Sequence, residues 1–430
     1  MSGDGAMAAV ETVRLLPWWR EPTKDQWYAW WAAWLGWTLD AFDFTVFLMV
    51  MVPIAKEFQA PLTAVTFVLT LTLWMRLIGA VAAGWLADRI GRKTPLMISI
   101  AWYSLCNFIA GFSPSLWFLL LFRALLGIGM GAEWPVGAAL AMETWPQRSR
   151  GVMSGILQGS GNLGFCISSV VYGLFYNWLG WRGMFWIGIL PALSIIYVRF
   201  FVKEPEVWVE NRRRQRVEHR EVKTPFFTIF KRGVLSNTMT ACWFMASAFL
   251  VAYSINSLFV AHLQADLKLS PALIATPVAL ANFVAFLASA SWGWLSDRVG
   301  RRWAMIIPAL FVIPLAPFYL FSGNFTIIVV AYVLQGAAGT GGMLGQIPSY
   351  LSERFPTEVR ATATAFAYHQ GAIWGGFVAP VLAYFATTWH LGLPIPMLIG
   401  TSVGAVSFIV ALLMSPETRG RAIVPDLLVA

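Results

Sequence analysis

The sequence predicts an all-α membrane protein with 12 transmembrane helices arranged as two six-helix bundles. Three observations predict this fold class: a very apolar composition, apolar runs of membrane-spanning length, and a charged motif that occurs once in each half of the chain. A duplicated helical unit accounts for all three.

The composition excludes an ordinary soluble domain. Hydrophobic residues make up 58% of the 430 residues and charged residues only 12%, about half the charged fraction of a soluble protein. A soluble fold of this composition would expose large apolar patches, so the lipid bilayer is the expected solvent. Residues 1–25 are polar and lack the short apolar core of a cleavable signal peptide, so we expect none.

Apolar runs follow one another along the chain, each near the roughly 20 residues that a helix needs to cross a membrane. They lie near 27–52, 65–87, 94–112, 116–141, 151–177, 181–202, 236–262, 272–295, 303–321, 325–350, 360–387 and 392–414. The long charged stretch 203–232 interrupts them. We therefore predict an N-terminal six-helix bundle over 1–202, a cytoplasmic linker over 203–232 and a C-terminal six-helix bundle over 233–430.

The cations orient the predicted helices. The net charge is +9, and most Lys and Arg residues fall in segments on one side of the predicted membrane. Only Lys56, Arg182 and Lys268 fall on the other side. This bias fits the positive-inside rule with both termini cytoplasmic, as in a bacterial inner (plasma) membrane. The basic excess therefore orients the protein, and nucleic acid is not an expected partner.

Two charged segments recur at nearly constant spacing. Gly84-Trp-Leu-Ala-Asp-Arg-Ile-Gly-Arg-Lys93 returns as Gly293-Trp-Leu-Ser-Asp-Arg-Val-Gly-Arg-Arg302, and residues 143–151 are echoed by 353–361. Each of the first pair lies between apolar runs, where glycines permit a tight turn and cations hold that turn in water. The spacing indicates two repeats related by an axis along the membrane normal.

The two charged turns resemble the signature loop between the second and third helices of each half in transporters of the major facilitator superfamily. The resemblance implies the major facilitator fold, with a substrate path between the two bundles. It also implies a network of ion pairs and helix-end contacts that closes the cytoplasmic side; simple anchoring of topology is the alternative. The candidate network residues are Asp88, Arg89, Arg92, Glu143, Arg150, Asp297, Arg298, Arg301, Glu353 and Arg360.

Three acids lie deep inside predicted helices: Asp40, Asp43 and Glu133. A charge at that depth is costly and should face a cavity or a partner. Asp40 and Asp43 lie three residues apart on one helix face. Neighbouring carboxylates resist simultaneous ionisation, which is the chemistry that a proton-coupled carrier needs. The candidate proton-coupling residues are therefore Asp40, Asp43 and Glu133. The alternative is permanent salt bridges to structural arginines.

Polar residues of other helices are candidates for substrate binding. Arg76 and Arg123 are either counter-ions for the acids or guanidinium forks for a substrate carboxylate. The C-terminal half offers neutral polar groups instead. Its substrate-binding candidates are Asn282, Gln335, His369 and Gln370, although a satisfied structural role is the alternative for His369.

A second resemblance narrows the family. The segment Trp37-Thr-Leu-Asp40-Ala-Phe-Asp43-Phe44 is similar to the aspartate pair in the first helix of the organic-acid proton symporters, which include sialic acid and lactate/pyruvate carriers. Residues 123–135 resemble the same branch and also sugar-porter relatives. On family grounds, Asp43 stands slightly ahead of Asp40 as the proton carrier.

No enzyme signature is present, because no phosphate loop or dinucleotide fingerprint occurs. Three cysteines in apolar runs, Cys106, Cys166 and Cys242, indicate buried small side chains and no metal site. We expect no cofactor and an ion gradient as the energy source.

The sequence therefore predicts a secondary active transporter that takes up a small organic acid, such as sialic acid or a monocarboxylate, in symport with a proton. The expected partners are the acid, the proton and the lipid bilayer, with a monomer as the functional unit. The alternatives are a transporter or facilitator for a sugar or other neutral polar solute, and a transporter-like receptor.

Overall fold

Helices make up the regular structure of the chain in the computed structural model, which describes residues 17, 19–60, 62–219, 225–256, 258–259, 262–263, 267–268 and 271–423. The N-terminal half holds α1 (Lys24–Glu57), α2 (Leu62–Ile90), α3 (Lys93–Ala110), α4 (Leu116–Thr144), α5 (Arg150–Ile187) and α6 (Leu193–Phe201). The linker holds α7 (Glu206–Val217) and α8 (Pro225–Thr228). The C-terminal half holds α9 (Arg232–Asn256), α10 (Pro271–Val299), α11 (Arg301–Phe321), α12 (Phe325–Gly336), α13 (Ile347–Arg354), α14 (Arg360–Thr388) and α15 (Pro394–Leu413).

The described helices make the 12 crossings that the sequence predicts. Gly180 has φ 60° and ψ −172° and divides α5 into two crossings, the second continued by α6. In the other half, α12 and α13 are joined by a π-helical segment, Ala337–Met343, and form one crossing with it. Nine stretches of the described residues are long and apolar enough to span a membrane. The all-α membrane fold is thus confirmed.

The repeated charged turns define one end of the molecule, which we call the charged end. In each turn a glycine takes a positive φ that favours glycine: 109° at Gly91 and 101° at Gly300. A carboxylate caps each following helix. Glu204 accepts from the backbone N–H of Arg92 and Lys93 at 2.7 and 2.9 Å. Glu417 does the same for Arg301 and Arg302 at 2.9 and 3.1 Å.

Close helix approaches occur within each half and also between the halves. Within the N-terminal half, the Cα of Gly79 faces the backbone of Ile128, so that α2 and α4 touch backbone to backbone. Between the halves, Gly84 of α2 faces Ala361 and Thr362 of α14. Its repeat counterpart Gly293 of α10 faces residues 151–152 of α5. The two halves therefore meet along two equivalent helix pairs, α2 with α14 and α5 with α10.

The linker contacts both halves. Trp208 of α7 donates from Nε1 to the backbone oxygen of Asp88 at 3.3 Å. Beyond residues 220–224, which lie outside the described part, Phe226 and Phe230 pack on Phe366 of α14, with ring centroids 5.8 and 5.4 Å apart. The linker therefore runs across the charged end from one half to the other.

Candidate functional site

A cavity of about 220 Å³ lies between the two halves. Helices α1, α2 and α5 line it from the N-terminal half, and α9, the π-helical segment and α14 line it from the C-terminal half. Its walls are largely aromatic, formed by Trp37, Phe44, Phe165, Phe249, Tyr253 and Tyr368. A small, mostly apolar chamber with few polar groups is typical of a small-molecule site.

An ion pair stands on the wall of this cavity. Arg76 of α2 donates from Nη2 to both carboxylate oxygens of Asp40 of α1, at 3.3 and 3.2 Å. The same Nη2 lies 3.2 Å from the sulfur of Met130, and the guanidinium carbon lies 5.0 Å from the ring centre of Phe44. Asp40 is 1% exposed. Since so buried a carboxylate is stable as an anion only with a partner, Arg76 is the group that stabilises the Asp40 anion.

Asp43 and Arg123 lie elsewhere, in the interior of the N-terminal half. The Arg123 guanidinium stacks between the rings of Phe47 and Phe185, at 4.2 and 4.9 Å, and donates to Asn107 Oδ1 at 3.3 Å. Asp43 Oδ1 lies against Gly188, beside the same Asn107 amide. Neither residue lines the cavity. Asp40 and Asp43 therefore have different neighbours, although they share a helix.

Glu133 is the third buried acid. It lies on α4 and is 1% exposed, with its carboxylate placed against Gly36 of α1. Neither of its oxygens has a hydrogen-bond donor among the described residues. An ionised carboxylate in such a place would cost several kcal/mol, so these surroundings favour the neutral acid form of Glu133.

The four C-terminal candidates take three different places. His369 lines the cavity, with Nδ1 3.2 Å from the backbone oxygen of Ala365. Gln370 turns away and donates to the backbone oxygens of Cys242 and Ala367 at 2.8 and 2.9 Å. Asn282 and Gln335 line a separate, much smaller pocket that touches the main cavity only where Thr340 borders both.

Several cavity residues were not among the sequence candidates. Tyr368 stacks on Trp134 of the opposite half with ring centroids 3.9 Å apart, and Trp134 donates to Gln158 Oε1 at 2.9 Å. Gln158 and Asn162 also line the cavity. The sequence feature that could have identified Gln158 and Asn162 is a pair of amides four residues apart inside an apolar run. Tyr368 carried no such signal, since 15% of the chain is aromatic.

At the charged end, a buried network joins α2 and α4 to α14. Arg92 donates to Asp88 at 2.8 Å and to both oxygens of Glu143 at 3.0 and 2.8 Å. Arg360 of the other half reaches Glu143 at 2.7 Å. Asp88 in turn accepts from the backbone N–H and the hydroxyl of Thr362 at 2.9 and 2.7 Å.

A second network repeats these contacts with the halves exchanged. Arg301 donates to Asp297 at 2.6 Å and to Glu353 at 3.1 Å. Arg150 of the N-terminal half reaches Glu353 at 3.3 Å. Asp297 caps α5 by accepting from Gly151 and Val152 at 2.9 and 3.1 Å. Each network thus ties the charged turn of one half to a helix start in the other.

Two of the ten network candidates have other contacts. Arg89 and Arg298 stack on the rings of Trp85 and Trp294, at 4.9 and 3.6 Å, and make no ion pair within the described part. Arg92 differs from them: burial acts to lower its pKa, but the charges of Glu143 and Asp88 hold that pKa above its ordinary value. Arg92 is therefore a permanent cation at the centre of its network.

Comparisons with known proteins agree with this architecture. The model of the Major Facilitator Superfamily matches residues 33–261 and 243–426. The chain is 31% identical over 416 residues to a probable 4-methylmuconolactone transporter of Cupriavidus pinatubonensis, covering 95% of each chain. It is 28% identical to the sialic acid transporter NanX of Escherichia coli, covering 94% of this chain and 97% of the relative.

The fold also matches a solved structure. The proton:xylose symporter XylE superposes with a TM-score of 0.72 at 18% identity, covering 93% of this chain and 98% of that one. The sequence resemblance, the repeated charged turns and the twelve-crossing fold are thereby confirmed. The chain belongs to the Major Facilitator Superfamily and is a multi-pass membrane transporter, not an enzyme.

Proposed function

We propose that this chain is a secondary active transporter that takes up a small organic acid together with a proton. The observation that carries the proposal is the Asp40–Arg76 ion pair on the wall of the cavity between the halves. In such a pair, the acid and a substrate anion compete for the same guanidinium, and a proton on the acid decides that competition.

The competition gives the coupling. A proton on Asp40 cancels the charge that holds Arg76, and the freed guanidinium can then bind a substrate carboxylate through two parallel hydrogen bonds. An ionised substrate without the proton would leave two anions for one arginine in a low-dielectric site. A proton without substrate would leave Arg76 buried and unpaired. Proton and acid therefore enter together.

The two charged networks account for the conformational change in this mechanism. Both bury their ion pairs between the halves, so they stabilise a state in which the charged end is closed. Substrate reaches the cavity from the opposite end in this state, and rocking of the halves breaks both networks. We assign the charged end to the cytoplasm because it carries the basic excess. Both termini are then cytoplasmic, in a bacterial inner membrane.

The relatives support an organic acid as the substrate. Their names assign them 4-methylmuconolactone, sialic acid and cis,cis-muconate, all of which carry a carboxylate. A cavity of about 220 Å³ lies below the roughly 300–1,000 Å³ of pockets for drug-sized ligands. A compact monocarboxylate suits this volume, with the aromatic walls against its apolar part.

Purified protein in liposomes that contain a pH dye tests the proposal. We would add lactate, sialic acid, 4-methylmuconolactone and cis,cis-muconate one at a time, with an ionophore control for passive entry of the undissociated acids. Internal acidification that depends on substrate and is abolished by Asp40→Asn is the expected result. Parallel measurements on Asp43→Asn test the alternative proton carrier, which family resemblance favours and the cavity geometry does not.

Other outcomes would replace the proposal. Tracer uptake without proton movement would make the chain a facilitator, and uptake of sugars but of no acid would identify a carrier of neutral solutes. Binding without uptake would favour a receptor.

A further inference from the structure

We propose that Glu133 is a second proton carrier, which takes the proton from Asp40 and releases it at the charged end. This inference rests on the proposed proton symport and adds a route for the proton to leave. Glu133 is suited to the task because it lies between the cavity and the charged end, and because it is a buried acid without a counter-ion among the described residues.

The position follows from two antiparallel helices. Helix α1 runs away from the charged end and α4 runs toward it, since Trp27 near the start of α1 contacts Trp145 at the end of α4, with ring centroids 4.8 Å apart. Asp40 is held at the level of Met130 through Arg76. Glu133 lies three residues further along α4 and packs on Gly36, four residues back on α1. Its carboxyl group is therefore about one helical turn, roughly 5 Å, closer to the charged end.

The surroundings of Glu133 keep it neutral in this state. Asp40 of α1 and Tyr103 of α3 interact with it electrostatically, and both are potential anions. The cation on α2, Arg76, is already bonded to Asp40. From the other half, α14 presents Tyr368, which stacks on the neighbouring Trp134. Nothing among these groups stabilises a carboxylate at Glu133.

Water reaches Glu133 only when the halves separate. The rings of Trp37 and Trp134, which follow Gly36 and Glu133 in the chain, pack together at 6.4 Å, and Tyr368 of the other half covers Trp134. Toward the charged end, Gly137 of α4 closes against Ala33 of α1. Opening of the charged end withdraws Tyr368 and exposes the groove between α1 and α4. Hydration then lowers the cost of ionising Glu133.

The proton moves in two balanced steps. In the open state, the O–H bond of Glu133 breaks, the proton goes to water and the electron pair stays on the Glu133 carboxylate. Asp40 then loses its own proton to that carboxylate, which becomes a neutral acid again. The Asp40 anion recovers Arg76 as the substrate leaves, and one proton has entered for each acid.

The substitution Glu133→Gln tests this route, because glutamine keeps the size and neutrality of the acid but carries no proton to release. We would compare substrate exchange across proteoliposomes, which needs no net proton release, with accumulation driven by a pH gradient. The expected result is a split: exchange at half or more of the wild-type rate, and accumulation at least ten-fold lower. Glu133→Asp, which restores an acid, should recover part of the accumulation.

A second variant tests the same idea without removing the acid. In Gly36→Ala, the new methyl group would occupy the place of the Glu133 carboxyl end and push it aside, so the same split is expected. Wild-type accumulation and acidification in Glu133→Gln would overturn the inference. So would a parallel loss of exchange and accumulation in both variants, since that marks a structural role. A wild-type protein that moves no proton would instead refute the proposed function.

Discussion

Arg76 and Arg123 show how differently one residue type is used within a single half. Both are buried cations in apolar helices. Arg76 faces the cavity and holds a carboxylate that can be displaced, whereas Arg123 is enclosed by two aromatic rings and an asparagine. Only the first arrangement lets a substrate compete for the guanidinium. The second stabilises the interior of the bundle.

This contrast predicts different outcomes for the same conservative change. Arg76→Lys keeps the charge but loses the planar fork, so we expect KM for the transported acid to rise about 10- to 100-fold, from the loss of about 1.5–3 kcal/mol of charged hydrogen bonding. Arg123→Lys should leave KM within about two-fold and lower the melting temperature instead. Uptake kinetics and thermal melting in detergent measure both. Equal KM effects would contradict the assignment of Arg76 as the substrate ligand.

Residue partners were the least predictable part of the site. The spacing of Asp40 and Asp43 indicates a shared helix face, yet three residues turn a helix by about 300°, which leaves the two side chains about 60° apart. Which helix each carboxylate meets depends on the packing of neighbours such as Phe47 and Phe185. Gln370 shows the same limit: its neighbour His369 reaches the cavity, while Gln370 bonds to the backbone of α9.

At the scale of elements, glycine sets how closely the helices approach. The backbone of α2 touches that of α4 at Gly79, where a methyl group would overlap the backbone of Ile128. The overlapping atoms cannot rotate away, so the whole helix would have to shift. This contact lies inside the N-terminal half and is part of a rigid unit, whereas Gly84 and Gly293 lie on the surfaces between the halves.

The contact predicts a large effect for a small substitution. We expect Gly79→Ala to destabilise the protein by about 1–3 kcal/mol, the usual cost of overpacking, and to lower its melting temperature. Gly376→Ala is the matched control, because nothing within 4 Å would meet its methyl group and alanine favours the helix by about 0.5–1 kcal/mol. Similar melting temperatures for the two variants would show that α2 and α4 can move apart easily.

The elements themselves were largely readable from the sequence. The lengths of the apolar runs located the membrane crossings, and the charged turns located the ends of those helices. Both patterns reflect the bilayer and do not depend on which residues pack against one another. The π-helical segment 337–343 was not predicted. Its glycines permit close packing or bending, but the extra backbone residue within a helix leaves no mark on hydropathy.

For the whole molecule, we propose that the two networks decide which state is populated. Glu143 pairs with arginines from both halves, Arg92 and Arg360, so it is the carboxylate that joins the halves through ion pairs in one network. Removing its charge leaves Arg360 without its ion pair at the boundary between the halves and leaves Arg92 with Asp88 alone. Breaking a buried pair in this way costs about 3–5 kcal/mol, and that cost falls on the closed state.

We therefore expect Glu143→Gln to shift the population toward an open charged end. Ser154 reports the shift, because it is buried between the halves and bonded to Gly345 and Ser349 at 3.1 and 3.0 Å. In a background with the three native cysteines replaced, Ser154→Cys should react with a membrane-permeant thiol reagent at least ten-fold faster when Glu143→Gln is present.

The control for this prediction is an ion pair that spans no boundary. Glu210 pairs with Arg213 and Arg214 on the exposed face of α7, at 2.7 and 3.1 Å, and exposed pairs of this kind contribute about 0–1 kcal/mol. Glu210→Gln should leave the labelling rate of Ser154→Cys unchanged. Equal rates in all three proteins would show that the networks anchor the topology without holding the charged end closed.

The two halves that arose by duplication contribute different kinds of side chain to the cavity. Both halves retain matching networks at the charged end, whereas the acid and the arginine on the cavity wall, Asp40 and Arg76, belong to the N-terminal half alone. The C-terminal wall consists mainly of aromatic and aliphatic side chains with one threonine and one histidine. In the proposed mechanism, the N-terminal half therefore binds both the proton and the substrate carboxylate, and the C-terminal wall contacts the rest of the solute. Substitutions in the C-terminal wall can then change which solute is accepted, while the proposed proton-coupling residues stay unchanged in the other half.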